Sequence, residues 1–170
     1  MSTESYLLIL SHLVCWTVGM GVAFYFAFAA VPLANKQLQG EERLVALRRH
    51  AKFYHVTFLL TMSLMVVTGA WRLTDYKIFL GMKYFNDVST VLIVKLLIFF
   101  AVYILAAYQS FGLALRITGT GEKAMQDSVS AELVDGVVGR MRSIAILNLI
   151  LMSATAYVGL MLSRIPYFTK

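Results

Sequence analysis

The sequence predicts an all-α integral membrane protein, a bundle of four transmembrane helices with both chain ends on the non-cytoplasmic side and short interfacial helices in the loops. Three observations carry this. The 170 residues are 59% apolar with a mean hydropathy of +0.74, well above the share found in soluble domains. Four apolar runs are each near or above the roughly 20 residues that a helix needs to cross a bilayer. The basic residues are unevenly divided between the segments that join these runs.

The first run, Tyr6 to Leu33, is preceded by Glu4 and no cluster of basic residues, and it exceeds the usual 7 to 15 residue core of a signal peptide. It is expected to remain as the first span. The loop after it contains EERLVALRRHAK, residues 41 to 52, with apolar residues at helical spacing among charges, which predicts an interfacial helix continuing into the second span, Phe53 to Trp71. Arg72 to Asp87 mixes aromatics with charges (Tyr76, Phe79, Tyr84, Phe85), a composition suited to a loop lying flat at the headgroup level. The third span is Val88 to Leu115. The loop beyond it opens with ITGTGEK, a glycine-bearing turn, and continues into a predicted amphipathic helix with Met125, Val129, Leu133 and Val137 four apart. The fourth span is Ile144 to Leu162. Residues 1–170 then form a single membrane domain.

Lys36, Arg43, Arg48, Arg49, Lys52, Arg116, Lys123, Arg140 and Arg142 lie on one side of these spans, nine basic residues in all. The other side has five: Arg72, Lys77, Lys83, Arg164 and Lys170. The positive-inside bias places the first and third loops in the cytoplasm, in the cell's inner (cytoplasmic) membrane. The net charge of +6 is explained by Lys and Arg meeting anionic headgroups, and no basic module interleaved with aromatics points to nucleic acid. Membrane lipids are the expected surroundings, with other membrane-protein subunits or a second copy of the chain as partners. Cys15 is the only cysteine, so neither an internal disulfide nor a multi-cysteine metal cage can form. No P-loop, GxSxG or HExxH pattern occurs.

Polar residues inside a bilayer are costly and normally face the bundle interior, so they mark the candidate site. They fall at two depths. At about 1.5 Å per residue, His12 and Lys95 each lie roughly 10 Å below the outer boundary. Beside them are expected Cys15 and Trp16, then Met62 and Met65, and Tyr157 or Met161. The second layer, towards the cytoplasm, comprises His55, Tyr108, Gln109 and Asn148. His12 and His55 are separated by roughly 15 Å or more along the membrane normal, which excludes a single haem held by both. His12, Trp16, Gly19, Ala23 and Phe26 share one helix face, and a neutral imidazole above small residues suits an axial haem ligand with room for a flat macrocycle. The same residues also suit close helix packing with a hydrogen-bonded histidine. Lys95 is the only charge inside the four runs, and no Asp or Glu lies in them to compensate it. A propionate, a substrate carboxylate, neutral dipoles, water or snorkelling must do so.

SHLVCWTVGMGVAFYFAFAAVPL in the first span, RRHAKFYHVTF and MVVTGAW around the second, VLIVKLLIFFAVYILAAYQ in the third and RMRSIAILN opening the fourth resemble the CopD and HemJ superfamily of four-helix membrane proteins. HemJ-type proteins are protoporphyrinogen IX oxidases that bind b-type haem. The resemblance implies that His12 and Lys95 correspond to that family's first-helix His and third-helix Lys, and Asn148 to its fourth-helix Asn. CopD-like proteins are associated with copper uptake, and His55 corresponds to their second-helix His. Both families commonly carry a His near the inner end of the third helix, where this chain has Gln109. The functional expectation is a b-type haem protein exchanging electrons with a quinone or porphyrin, with His12 as metal ligand, Lys95 as a catalytic or propionate-binding group, and Trp16, Gly19, His55, Gln109 and Asn148 around the cofactor. A cofactor-free accessory subunit and a copper handler using His12, Cys15 and methionines are the alternatives.

The topology makes a direct prediction. With Cys15 replaced by Ser, an impermeant thiol reagent applied to intact cells is expected to label Lys77→Cys and not Ser128→Cys; labelling at position 128 contradicts the orientation.

Overall fold

The computed structural model describes the backbone of residues 3–118 and 130–168; within these, the side chains of residues 3–5, 75–77, 79–85, 87 and 163–168 lie outside the description. Among the described residues all regular structure is helical. Helix α1, Thr3–Phe24, passes through a π-helical turn, Tyr25–Ala30, into α2, Val31–Gln37; α3, Gly40–Ala107, passes through a second π-helical turn, Tyr108–Ala114, into α4, Leu115–Thr118; α5 is Ala131–Phe168. Four segments are long and apolar enough to span a membrane: Tyr6–Gln37, Gly40–Thr74, Val88–Thr118 and Ala131–Leu162. This is a multi-pass membrane protein. Its outer surface agrees, since Leu60, Leu97, Phe111 and Ile150 are large apolar residues turned away from the bundle, as a lipid-facing surface requires.

The spans are packed up and down. The link between the first two is short: Leu38 and Gln39 are extended, and Gly40 takes φ +54, a value that costs a Cβ-bearing residue more than glycine. Helix α3 holds both the second and third spans. Forty residues of straight helix would separate Ser63 from Tyr103 by about 60 Å, yet their hydroxyl oxygens are 3.5 Å apart. The chain therefore reverses between them, and its two arms pack antiparallel. Arg72 to Asp87, predicted as a surface loop, is helical in its backbone; the positions of its aromatic side chains fall almost wholly outside the described residues.

Two spans start earlier than the apolar runs. The interfacial segment 41–52 is continuous with the second span, as predicted. The fourth begins at Ala131 rather than Ile144, because the predicted cytoplasmic helix and the span are one helix. Its buried stripe is Val134, Val137, Val138 and Met141, while Leu133 is exposed. The ITGTGEK turn, Met125 and Val129 fall largely outside the described residues. The core runs from Leu47, Ala51, Tyr54, Phe58 and Met62 of the second span to Ala23 and Phe26 of the first and Ala145 and Met152 of the fourth. The Phe26 and Tyr54 rings are stacked, 4.4 Å between centroids and 6° from parallel.

Several basic residues are spent inside the fold. The Val31 amide bonds five residues back to Phe26 O, and Pro32 has no amide hydrogen, so Ala27 O loses both helical donors that would reach it. Arg142 of α5 supplies one, its Nε donating to Ala27 O at 2.8 Å. Arg48 Nε donates to Ile117 O at 2.7 Å, closing the end of the third span. Arg43 bonds Asn35 Oδ1 at 3.0 Å and pairs with Asp135 at 2.7 Å, tying the second span to the fourth. Arg142→Leu, which strands Ala27 O, is expected to cost about 1–3 kcal/mol, seen as a lower unfolding temperature in detergent; an unchanged temperature contradicts the role assigned to that bond.

Candidate functional site

The packing fixes which residues share a level. Gly19 of α1 lies against Met62 and Met152: a Cβ there would sit 2.6 Å from the Met62 methyl and 3.4 Å from that of Met152. Seven residues towards the N-terminus from Gly19 is His12. Seven beyond Met152 is Gly159, and seven beyond Met62 is Gly69, so the second and fourth spans, both antiparallel to α1, bring Gly69 and Gly159 level with His12. Lys95 joins them from the third span. It lies eight residues before Tyr103, and so opposite Trp71, eight after Ser63. The side-chain contacts agree. A Cβ on Gly69 would lie 3.4 Å from His12 Cε1, and one on Gly159 would lie 3.2 Å from Lys95 Nζ. Arg72 and Lys95 are both within electrostatic reach of His12.

His12 Nδ1 is 2.8 Å from Thr68 Oγ1. The threonine hydroxyl has one hydrogen, and Leu64 O lies within its reach, 2.9 Å away along its own helix. When the hydrogen goes to Leu64 O, Thr68 is the acceptor towards His12 and Nδ1 carries the ring proton. In the neutral ring Nε2 then holds the lone pair. This is the arrangement by which proteins present a histidine to a metal, one nitrogen anchored and the other offered. One turn along α1, Trp16 Nε1 is buried and has no hydrogen-bond partner. Helical side chains lean towards the helix N-terminus, so the indole belongs to the His12 level.

The predicted grouping of His12 with Lys95 and Trp16 matches this geometry, and the face His12, Trp16, Gly19, Ala23, Phe26 does turn inward. Three expectations are corrected. Gly19 does not open a space: the Met62 and Met152 methyl groups occupy it. Tyr157 and Met161 point away from the layer, 61% and 46% exposed, and Gly159 between them faces Lys95. Tyr108 is also exposed, its ring lying over Gly112 in the π-helical turn, and Tyr54 takes its place in the second layer.

That second layer is a closed network. Gln109 Nε2 donates to Met141 O at 2.8 Å, which fixes the orientation of the amide. Gln109 Oε1 consequently faces the other way and accepts both from Tyr54 OH at 2.9 Å and from Asn148 Nδ2 at 3.1 Å. Asn148 is fully buried, and its Oδ1 is left without a partner. Three spans are joined through one glutamine. His55 is buried beside the network without entering it: its backbone carbonyl accepts from Ser110 Oγ at 3.4 Å, and among the described residues its ring makes no hydrogen bond. His12 is bonded to Thr68, thirteen residues along the helix from His55, or about 20 Å. The two histidines belong to separate layers.

Among the described residues no three His, Cys, Asp or Glu side chains gather as a metal-binding group. No protein family, curated protein or solved structure matches the chain.

Proposed function

We propose that this protein is a b-type haem membrane protein of the inner membrane that exchanges electrons with a quinone or porphyrin, with His12 as the axial ligand. The observation that carries this reading is the anchored His12 ring: Nδ1 is 2.8 Å from Thr68 Oγ1, whose hydrogen has Leu64 O to go to, which leaves Nε2 to act as a ligand inside a membrane-spanning layer. The donor set fits one axial ligand. A haem held there supplies a one-electron iron couple whose potential depends on that ligand, on burial and on nearby charge. Thr68 orients the imidazole and holds its proton at Nδ1. Lys95 and Arg72 place positive charge beside it, where they favour a negatively charged substituent and raise the potential of any redox centre they face. Protoporphyrinogen oxidation is a narrower form of the same proposal and rests on the resemblance of the first, third and fourth spans to HemJ-type proteins.

Gln109 uses its amide to hold Tyr54, Asn148 and Met141 together, so the second layer serves as a structural clamp in this reading. The cofactor-free accessory subunit is the second reading, and one observation favours it: the Met62 and Met152 methyl groups fill the space beside Gly19 and must move to admit a macrocycle. Copper handling through His12, Cys15 and methionines has less support, since among the described residues no three His, Cys, Asp or Glu side chains gather and the Met62 and Met152 methyl groups lie at the Gly19 level, two turns from His12.

Purified protein reduced with dithionite is expected to give a sharp haem α band, which His12→Ala abolishes and His55→Ala retains. Absence of the band in folded wild-type protein supports the accessory-subunit reading. Haem retained in the His12 variant removes the axial assignment.

A further inference from the structure

Apart from the His12–Thr68 pair, the polar groups of the His12 layer are donors and cations. Thr68 Oγ1 lies between Leu64 O and His12 Nδ1, 2.9 and 2.8 Å away, and His12 Nε2 is the ligand nitrogen of the proposed function. Trp16 Nε1 is a buried donor with nothing to donate to. Lys95 is half-buried, and among the described residues its ammonium makes no hydrogen bond and no ion pair. Each is costly: a buried unsatisfied donor forfeits its hydration, and an ammonium within a span forfeits more. Both costs fall if the layer receives a group with several acceptor oxygens and negative charge. Towards the cytoplasm the core below this layer is apolar, with Met65 one turn along and Met62 and Met152 two turns along at the Gly19 level, so the body attached to that group must be apolar as well. A carboxylate on an apolar ligand meets both requirements.

Gly159 bears on the same point. A Cβ at this position would lie 3.2 Å from Lys95 Nζ and 3.6 Å from Cε. Glycine here leaves the ammonium room to rest against the fourth span, level with His12, instead of being pushed towards the membrane surface. A methyl group would displace the flexible end of the lysine by a few tenths of an ångström, a small change for the fold and a direct one for whatever the ammonium holds.

We infer that Lys95, seated against Gly159, and the Trp16 indole N–H together receive one carboxylate of an apolar ligand at the His12 layer, Trp16 by donating a hydrogen bond and Gly159 by positioning the lysine. This deepens the proposed function and depends on it for the source of the carboxylate: a haem or porphyrin propionate if that reading holds, a long-chain fatty acid if the site holds no macrocycle.

The test compares haem b with its dimethyl ester, which keeps the ring and iron and lacks both carboxylates, and palmitate with hexadecanol. Binding is measured to detergent-purified wild-type protein and to Trp16→Phe, Gly159→Ala and Lys95→Met. A charge-assisted hydrogen bond corresponds to about a tenfold preference, so wild-type protein is expected to favour the acid over the neutral partner by that factor or more. Trp16→Phe and Gly159→Ala each reduce the preference severalfold, and Lys95→Met removes it. In a Trp71→Phe background, the indole N–H signal of Trp16 in an ¹⁵N-correlated spectrum is expected to move downfield with the acid and not with the ester or alcohol. Tight binding of haem and its ester alike overturns the carboxylate site while leaving the haem proposal standing. If neither haem compound binds, the proposed cofactor is wrong, and a preference for palmitate that the same variants reduce upholds the carboxylate site by itself. No preference in either pair, or preferences indifferent to Trp16 and Gly159, overturns the inference.

Discussion

Hydrocarbon cannot hydrate a polar group, and that one constraint organises this molecule. Every backbone carbonyl or side-chain amide inside the bundle has to find its partner within the chain. The sequence makes the problem acute at Pro32, which withholds a donor from the first span. The answer is a π-helical turn and an arginine from the fourth span, 115 residues away in sequence, bonded to the stranded Ala27 carbonyl. The same pressure explains Arg48 at the end of the third span. Basic residues that topology alone would place among lipid headgroups also serve here as internal helix caps. Their long stems suit this work, since the guanidinium reaches inward while the side chain remains anchored near the interface.

Against this background the two polar layers differ in kind. The Gln109 layer answers the constraint from within: one amide carbonyl takes two donors, its amide nitrogen meets a backbone carbonyl, and three spans are fixed in register. Only Asn148 Oδ1 remains over. Such a network rigidifies a bundle because any shift breaks several bonds in a low-dielectric setting. The His12 layer is different. Thr68 anchors one nitrogen of His12 and leaves the other open, while Trp16 and Lys95 are left with donors and charge to spare. A layer built to be complete by itself would have an anion there, and the described spans place no acid at that level. The contrast between a sealed layer and an open one is the physical basis for the function proposed at His12.

Much of this was legible beforehand, because depth in a membrane can be counted. A rise of about 1.5 Å per residue was enough to put His12 level with Lys95, and Gln109 level with Asn148. Tyr54 was missed, although a signal existed: Leu47, Ala51, Tyr54, Phe58 and Met62 recur at spacings of four and three, the inward stripe of the second span. The same rule applied to the fourth span runs through Met141, Ala145, Asn148, Met152 and Thr155 to Gly159, and so excludes Tyr157 and Met161 from the interior. Tyr108 could have been excluded in the same way, since Val102, Ala106 and Gln109 recur at four and three; what counting could not reveal was the register change at the two π-helical turns, which no local composition announces. Nor could it reveal that the glycine at 19 is a seat for methionine methyl groups, since a small residue reads alike whether a neighbour or a ligand fills the space.

Everything proposed for the His12 layer depends on how the His12 ring is held. If Thr68 accepts from it, Nδ1 is the protonated nitrogen and Nε2 is available to iron or to another ligand; if the threonine donates instead, the layer loses its metal-presenting geometry. Nitrogen-15 chemical shifts of the selectively labelled His12 ring in ligand-free protein separate these cases directly. The predicted result is a neutral ring protonated at Nδ1, shifting to the mobile average of the two tautomers in Thr68→Val. A ring protonated at Nε2, unaffected by loss of the Thr68 hydroxyl, would contradict the account.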